Sequence, residues 1–429
     1  MTDENILTIS DVCSNVTKSY DLKKRKEVIF INTGDVLDNK FLKTDTYSIN
    51  KLPGQAKKSI KKNDILFSEI RPKNKRYIFI DRDLDDYVVS TKFMVIRAKK
   101  NILPKYLFYF LKSKKNLRNF QMEAESRSGT FPQITFDSIE YLPIDVPSLE
   151  KQKRISDILD TIENKISLYD QQISLYDNLI RIIFQSWFIK FEPIKNRLNK
   201  NLSTLSKELD IIFPSSFEET EQGSVPKNWK LKKISDYFEV KKGLSYKGKF
   251  LTENGKPMIN LGCFGEDGFF KIEKIKNYSG DFKKQNILSE GDIALANSDM
   301  TQNRITLGSP IQVCEIDGNK DFIFTHHVYG LFNKDDDKRL NYFIYNLLLQ
   351  TRFRKVVGGG ATGTTVLSLP EDIIEDFSFF LPEDKILNFF NQIANKIYEK
   401  IKILKNEKKT TIELRDILLS EFISGKVKI

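Results

Sequence analysis

Cysteine and histidine are scarce in this sequence. Its 429 residues include three cysteines, Cys13, Cys263 and Cys314, and none of them has CxxC spacing. Cysteines placed in this way are typical of reduced thiols in a cytosolic protein, not of a disulfide framework. The two histidines, His326 and His327, are adjacent, and on a strand they would point to opposite faces. The sequence therefore predicts no metal site and no Ser-His-Asp or Cys-His catalytic group.

Long apolar runs are missing as well. No stretch of 18 apolar residues occurs, and the N-terminal segment MTDENILTIS lacks the basic and apolar parts of a signal peptide. We therefore expect no membrane span, no membrane partner and a cytoplasmic location.

Familiar catalytic and cofactor motifs are also absent. The sequence contains no Asn-Pro-Pro-Tyr motif of the kind used in amino methylation, and no Gly-rich cofactor fingerprint. Residues 243–250 nearly match the phosphate-binding pattern GxxxxGK[ST], but Phe250 replaces the hydroxyl residue that would hold Mg²⁺. The Gly-rich run 358–365 is either a flexible loop or a backbone segment that approaches DNA closely. Acidic runs near Asp81 and Asp335 are typical of solvated turns. The sequence thus favours a binding protein.

The charge balance points to a polyanionic partner. Lysine and arginine number 69 against 58 acidic residues, which gives a formal charge of +11. This signal is weak by itself, because lysine-rich surfaces are common. The 32 phenylalanines and 16 tyrosines indicate folded cores and exclude a disordered basic tail.

A long heptad pattern occurs twice. Apolar positions separated by alternating steps of four and three residues predict a coiled-coil helix of roughly 40 residues. The first copy comprises Ile155, Leu159, Ile162, Ile166, Tyr169, Ile173, Tyr176, Ile180, Ile183 and Trp187. The second lies 235 residues later and comprises Phe390, Ala394, Ile397, Ile401, Leu404, Lys408, Thr411, Arg415, Leu418 and Phe422. Three of its middle positions are polar, and we expect Leu414 to keep the seam apolar beside Arg415.

Each helix could pack on its own domain, or the two could pack antiparallel on each other as a spacer. The repeated layout favours the antiparallel spacer. Apolar residues outside the seam also predict that a protein partner covers the helices. These residues are Ile158, Ile182, Phe188, Ile393 and Ile417.

The segments between the helices repeat too. Residues 234–236 echo 9–11, residues 291–293 echo 63–65, and residues 365–382 echo 130–147. A period of about 235 residues indicates a tandem duplication of a globular domain followed by a long helix. The predicted boundaries are 1–147 for the first domain, 148–191 for the first helix, 192–226 for a linker with a short helical turn near Leu205, 227–382 for the second domain and 383–429 for the second helix.

Within the first domain, we expect strands over 27–32, 65–68, 77–80 and 88–97, and one helix over 103–119. A basic loop is expected at 71–76, between the strands 65–68 and 77–80. A small-residue loop is expected at 126–130, after the helix. The predicted fold class is α+β: two mixed α/β domains separated by two long antiparallel coiled-coil helices, in a pseudo-twofold tandem repeat.

Three segments carry a family resemblance. Within this twofold layout there are three such segments: residues 147–155, which lead into the first long helix, the sequence GSVPKNW at 223–229, and the sequence LRDILLSEFISGK at 414–426. Together they resemble the specificity subunit of Type I restriction-modification systems, over essentially the whole chain. One departure is that the first domain lacks the Gly-x-x-Pro-x-x-Trp pattern that precedes the second.

The resemblance implies that each domain reads one half of a bipartite double-stranded DNA target. The helices would set the spacing and dock two methyltransferase subunits, and two restriction-translocase subunits would join them. S-adenosylmethionine, ATP and Mg²⁺ would belong to those partners, so this chain needs no cofactor. Two alternatives stay open: a stand-alone DNA-binding or scaffold protein, and a DNA methyltransferase of unfamiliar type.

Candidate DNA-binding residues follow from side-chain chemistry, because arginine suits guanine, asparagine and glutamine suit adenine, and lysine suits phosphate. We also expect one histidine to face the domain interior and the other the DNA. The candidates are Ser68, Arg71, Lys73, Asn74, Lys75, Arg76, Arg127, Ser128, Thr130, Lys241, Lys242, Tyr246, Lys247, Lys249, Asn297, Ser298, Gln302, Asn303, Arg304, Thr362 and Thr364.

Overall fold

The chain divides into two units in a computed structural model that describes residues 6–199, 211–265, 268, 270–300, 305–335, 338–363 and 366–424. Unit 1 contains residues 1–172 and 403–429, and unit 2 contains residues 173–402. Each unit therefore includes one part of each long helix. The sequence-based boundaries give the helices segments of their own, whereas in the structure their apolar seams belong to the cores of the units.

Unit 1 contains two four-stranded sheets. One has the strand order β6-β3-β10-β7 and the other β2-β11-β8-β9, while β1 pairs with β12. The strands are β1 (Ile6–Thr8), β2 (Cys13–Asn15), β3 (Glu27–Ile31), β4 (Val36–Leu37), β5 (Lys40–Phe41), β6 (Thr46–Ser48), β7 (Ala56–Ser59), β8 (Asp64–Ser68), β9 (Tyr77–Phe79), β10 (Tyr87–Ser90), β11 (Phe93–Ala98) and β12 (Pro143–Asp145). The helices are α1 (Ile9–Val12), α2 (Pro104–Lys112), α3 (Lys114–Arg127) and the first part of α4 (Leu149–Phe184).

Unit 2 contains a four-stranded sheet, β16-β25-β21-β23, and a five-stranded sheet, β17-β19-β18-β24-β20. The strands are β13 (Phe217–Thr220), β14 (Gly223–Pro226), β15 (Lys230–Lys233), β16 (Phe238–Lys242), β17 (Leu251–Thr252), β18 (Lys256–Ile259), β19 (Lys276–Tyr278), β20 (Ile287–Ser289), β21 (Ile293–Ala296), β22 (Ser298–Asp299), β23 (Pro310–Gln312), β24 (Asp321–Phe324), β25 (Val328–Asn333), β26 (Leu367–Ser368) and β27 (Ser378–Leu381). The helices are α5 (Glu192–Leu198), α6 (Ile234–Tyr237), α7 (Arg339–Leu348), α8 (Thr351–Gly360), α9 (Glu371–Glu375) and the first part of α10 (Asp384–Ile423).

The strand pairing confirms the tandem repeat. In unit 1, β8 lies between β11 and β9 with antiparallel pairing on both sides, and in unit 2, β21 lies in the same way between β25 and β23. The turns before these central strands also match, since Asn63 and Gly291 both have positive φ angles, 73° and 94°. A left-handed residue is what such a turn requires, and asparagine and glycine are the residues that adopt it most readily.

The long helices α4 and α10 are continuous over 36 and 40 residues, roughly 54 and 60 Å at 1.5 Å per residue. Their antiparallel packing is confirmed within each unit. In unit 1, Ile155 and Leu159 share a core with Leu419 and Phe422. In unit 2, α4 continues into a π-helical turn over 185–189, where aromatic rings pack against α10.

The polar seam positions are occupied differently from the sequence prediction. Leu414 does not replace Arg415 in the seam, because Leu414 is 49% exposed and Arg415 only 8%. The Arg415 guanidinium instead donates to Glu163 on α4 at 3.3 Å. One heptad away, Lys408 donates to Asp170 at 2.5 Å. Lys408 and Arg415 therefore bind across the seam as ion pairs, whereas the Thr411 hydroxyl donates to Glu407 O of its own helix.

Three local predictions are wrong for identifiable reasons. The strand expected over 88–97 is two strands, β10 and β11, because a turn at Thr91 and Lys92 separates them. The helix expected over 103–119 is two helices, because Ser113 is extended and its hydroxyl accepts a hydrogen bond from Asn116 N as the cap of α3. As a result α3 extends to Arg127, and the small-residue loop begins at Ser128. The expected linker contains α5 and the β13–β14 hairpin, and its predicted turn near Leu205 lies outside the described residues.

Two of the apolar residues that were predicted to lie on the outer surface of the helices belong to a core instead. Phe188 is buried in the core of unit 2, 5.1 Å from the ring of Phe390, and Ile393 packs against the same core. Ile158, Ile182 and Ile417 are exposed, as the outer surface requires. In the part of the chain that the structure describes, no helix is long and apolar enough to cross a membrane.

Candidate nucleic-acid interface

In unit 1, the structure brings two of the predicted loops together. The segment 69–76 follows β8, and the segment 128–134 follows α3. Ile134 N donates to Glu69 O at 2.8 Å, and Arg71 N donates to Pro132 O at 3.0 Å. The Arg71 side chain reaches across the same junction to Thr130 O at 3.3 Å. We call these two segments the unit 1 loop pair.

The basic part of this loop pair has an unusual backbone. Arg71 and Lys75 have φ angles of 44° and 54°, in the left-handed region that non-glycine residues seldom adopt. Helix α3 supports the turn, because Gln121 accepts a hydrogen bond from Lys73 N at 3.0 Å. Backbone strain of this kind clusters at functional sites when the surrounding structure holds it in place. Arg71, Lys73 and Asn74 are exposed on this turn.

Other predicted residues of unit 1 have internal partners. Ser68 is buried and hydrogen-bonds the backbone of Ile70. Arg76 donates to the carbonyls of Gly34 and Val36 at 2.9 and 2.8 Å, so it holds the segment that leads into β4. Arg127 pairs with Glu123 on α3 at 3.1 Å, and the Ser128 hydroxyl accepts from Phe131 N. These side chains shape the loops and leave the exposed turn at 71–75 as the basic surface.

Unit 2 has a corresponding pair of segments. Leu369 N donates to Asn297 O at 2.8 Å, and β22 pairs with β26 at Ser298–Ser368. The predicted residue Thr362 exchanges backbone hydrogen bonds with Ser368. The segments after β21 and α8 therefore form the unit 2 loop pair, residues 297–300 and 361–369 as far as they are described. Gln302, Asn303, Arg304 and Thr364 lie outside the described residues.

The predicted readers Asn297 and Ser298 are buried rather than presented at the surface. Asn297 donates through Nδ2 to His326 O at 2.9 Å and accepts through Oδ1 from the Ser298 hydroxyl at 2.7 Å. The histidines occupy a turn between β24 and β25, so the prediction that they lie on a strand and point apart is wrong. Their ring centroids are 3.9 Å apart. A polar residue type alone does not indicate that a side chain is exposed.

A lysine-bearing segment runs beside this histidine turn. Lys242 ends β16, and the backbone then crosses the neighbouring strand so closely that a Cβ on Gly243 would lie 2.4 Å from the carbonyl oxygens of Phe324 and Thr325. Lys242 is exposed, whereas Lys241 pairs with Glu239 at 2.7 Å.

Beyond the crossing, Lys247 and Lys249 are exposed. Tyr246 packs edge-on against Tyr278. Gly248–Phe250 is a short 3-10 turn. Exposed lysines of this kind suit phosphate contacts.

Two surface residues of unit 1 were missed by the sequence reasoning. Phe131 is 51% exposed within the loop pair, and half-buried Gln133 donates through its side-chain amide to Glu69 at 3.5 Å. Burial raises the pKa of Glu69, and nearby Lys58 and Lys92 oppose that rise. A lone aromatic residue among small polar neighbours was the available signal in the sequence.

Comparison with known proteins identifies the family. The profile described as the Type I restriction modification DNA specificity domain matches residues 2–175 and 226–414. The chain is 32% identical over 472 aligned positions to the Type I restriction enzyme HindI specificity subunit of Haemophilus influenzae, with 100% of both chains covered. It is 25% identical over 353 positions to the Type I restriction enzyme MjaIX specificity subunit of Methanocaldococcus jannaschii, covering 79% of this chain and 72% of the relative.

The fold has a solved counterpart. A crystal structure of a Type I restriction-modification system S subunit from M. genitalium aligns with a TM-score of 0.51 at 14% identity, covering 99% of this chain and 97% of that one. The family profile matches both repeated domains, which defines the chain as a DNA-recognition protein. The chain belongs to the Type I restriction-modification DNA specificity family, as a specificity subunit with two tandem recognition domains.

Proposed function

We propose that each unit reads one half of a bipartite double-stranded DNA target through its own loop pair. The observation that carries this proposal is that one backbone hydrogen bond joins the two loops at equivalent positions, Ile134 N to Glu69 O and Leu369 N to Asn297 O, both 2.8 Å. The scaffold is thus the same while the loop sequences differ. A common scaffold with different loops is what reading two different half-sites requires.

Within the unit 1 loop pair, Arg71 is the proposed base reader. Its guanidinium is exposed and donates from one edge to Thr130 O, and arginine is suited to bidentate contact with guanine O6 and N7. In unit 2, Lys242, Lys247 and Lys249 are the proposed phosphate contacts. Phosphate contacts fix the position of the protein on the duplex without reading its sequence.

The long helices are proposed to set the spacing between the half-sites and to dock two methyltransferase subunits. Exposed apolar side chains on these helices support docking, since Leu168, Leu175, Ile182 and Ile417 are between 56% and 67% exposed. Two restriction-translocase subunits would join the complex in the cytoplasm. We further propose that the chain is not catalytic and that S-adenosylmethionine, ATP and Mg²⁺ belong to those partners.

Methylation mapping tests the reading proposal. The genome of cells that express the chain with its methyltransferase subunit is mapped for wild type, Arg71→Ala and Lys249→Ala. Arg71→Ala should cost about 1–3 kcal/mol and relax one base position in one half-site only. Lys249→Ala should weaken DNA binding evenly across sequences and reduce its salt dependence.

Uniform loss of affinity in both variants would show that the assignment of reader and phosphate contact is wrong. An unchanged methylation pattern when the gene is deleted would favour a stand-alone DNA-binding or scaffold protein. Methyl transfer by the purified chain alone would show that it is an enzyme.

A further inference from the structure

The histidine turn of unit 2 is held firmly from two sides. It joins β24 to β25, and Val328 N donates to Thr325 O at 2.8 Å to close it. On one side, His326 N donates to Leu244 O at 3.0 Å. On the other side, Asn297 binds both histidine carbonyls, through Nδ2 to His326 O and through its backbone N to His327 O. The backbone of the turn is therefore fixed at both histidines.

A chain of hydrogen bonds determines which nitrogen of His327 carries the proton. Because the Asn297 amide nitrogen donates to His326 O, its oxygen is the atom that faces Ser298. That oxygen can only accept, so the single hydroxyl proton of Ser298 is donated to it at 2.7 Å. Ser298 Oγ must then accept at its 3.0 Å contact with His327 Nδ1, which makes Nδ1 the protonated nitrogen.

The other ring nitrogen of His327 is consequently an acceptor. In neutral imidazole with the proton on Nδ1, Nε2 carries a lone pair. Among the described residues, no hydrogen-bond donor contacts this Nε2, and the side chain is half-buried. Burial, together with the charges of His326 and Lys242, lowers the pKa of His327, which favours the neutral ring at pH 7.

We propose that His327 is a base-reading residue of unit 2 and that its Nε2 accepts a hydrogen bond from an exocyclic amino group, N6 of adenine or N4 of cytosine. This inference rests on the proposed function of unit 2. The major-groove edges of guanine and thymine present acceptors at the corresponding positions, O6 and O4, and two acceptors cannot bond. The buried residues Asn297 and Ser298 are positioning residues for this ring. Exposed Lys242, next to the turn, supplies a neighbouring phosphate contact.

The test uses the full-length chain and duplexes based on its mapped methylation site, with each of the four base pairs placed at every position of both half-sites. Wild type should prefer an amino base over a keto base by roughly tenfold at one position of one half-site. His327→Asn keeps a donor near Nδ1 to anchor Ser298 but removes Nε2. It should abolish that preference at that position and leave the other half-site unchanged.

Ser298→Ala separates reading from folding. Without the Ser298 acceptor, His327 can adopt either tautomer, so the preference between amino and keto bases should fall severalfold while affinity for the preferred site stays nearly constant. The inference is overturned if His327→Asn and Ser298→Ala leave every base preference of both half-sites intact while Arg71→Ala still relaxes one. If wild type itself shows no base preference at any position, the proposed function fails instead.

Discussion

At the residue scale, the Glu163 carboxylate of unit 1 pairs with two buried cations. Its carboxylate accepts from Lys112 at 2.5 Å and from Arg415 at 3.3 Å. The side chains of these two cations are only 4% and 9% exposed. Burial disfavours the charged Arg415 guanidinium, yet Glu163 and Asp416 keep the pKa of Arg415 raised. One carboxylate therefore balances much of the charge where α2, α4 and α10 meet.

Replacing this carboxylate should be costly. Glu163→Gln keeps the shape of the side chain but leaves buried Lys112 without its counter-charge and leaves Arg415 with Asp416 alone, so we expect the free energy of unfolding of unit 1 to fall by about 3 kcal/mol. Chemical denaturation followed by a probe within unit 1 measures this change.

Helix α4 offers a matched control. Glu150 pairs with Arg154 at 2.8 Å, but both side chains are more than half exposed, so Glu150→Gln should cost no more than about 0.5 kcal/mol. Equal effects of the two substitutions would contradict the role assigned to Glu163.

The lowered pKa of Asp170 predicts that the folding stability of unit 1 depends on pH. Burial would raise its pKa, but hydrogen bonds from Lys40 at 2.9 Å and Lys408 at 2.5 Å hold it below the ordinary 3.8. A pKa that is lower in the folded state gives stability at neutral pH, and this stability disappears as the pH falls through the folded pKa. Asp170→Asn should therefore lower stability at pH 7 by about 1 kcal/mol.

Denaturation across a pH series checks the sign of this effect. The variant and the wild type should converge as the pH falls below 3.8. A difference that is the same at pH 7 and at low pH would show that Asp170 contributes through packing rather than charge.

At the scale of elements, the crossing at Gly243 fixes how β16 meets the histidine turn. Gly243→Ala would place a methyl group 2.4 Å from two backbone oxygens, which cannot move away as a flexible side chain can. We expect displacement of the turn and loss of reading by unit 2 alone. Gly248 lies in the same segment with nothing within 4 Å of its missing Cβ, so Gly248→Ala is the control and should bind DNA normally. Binding to duplexes mutated in either half-site measures both variants.

The elements that sequence could predict are those with a local, repeated pattern. The heptad seam and the echo of residues 63–65 at 291–293 identified the long helices and the central strands. The Glu163–Arg415 pair could not be predicted, because its members are 252 positions apart. Similarly, the burial of Asn297 depends on a turn 29 positions away. For the candidate DNA-binding residues, the sequence indicated the loops, while only the structure shows that Arg71 is exposed and that half-buried Arg76 is bound to two carbonyls.

At the scale of the whole molecule, two roles are proposed to be separate. In this proposal the loop pairs read the half-sites, and the helices set the distance between them. Each loop pair is built entirely within its own unit, from segments that follow β8 and α3 in one case and β21 and α8 in the other. Reading and spacing should therefore change independently.

The most direct measurement is methylation mapping of a variant with one additional heptad in each long helix. Insertion between Gln172 and Ile173, and between Lys402 and Ile403, follows the division between the units and leaves the contacts within each intact. Seven residues add about 10 Å of helix, and DNA rises about 3.4 Å per base pair. We expect unchanged half-site sequences separated by a spacer longer by roughly one to three base pairs. An active complex with an unchanged spacer, or with altered half-site bases, would contradict this expectation.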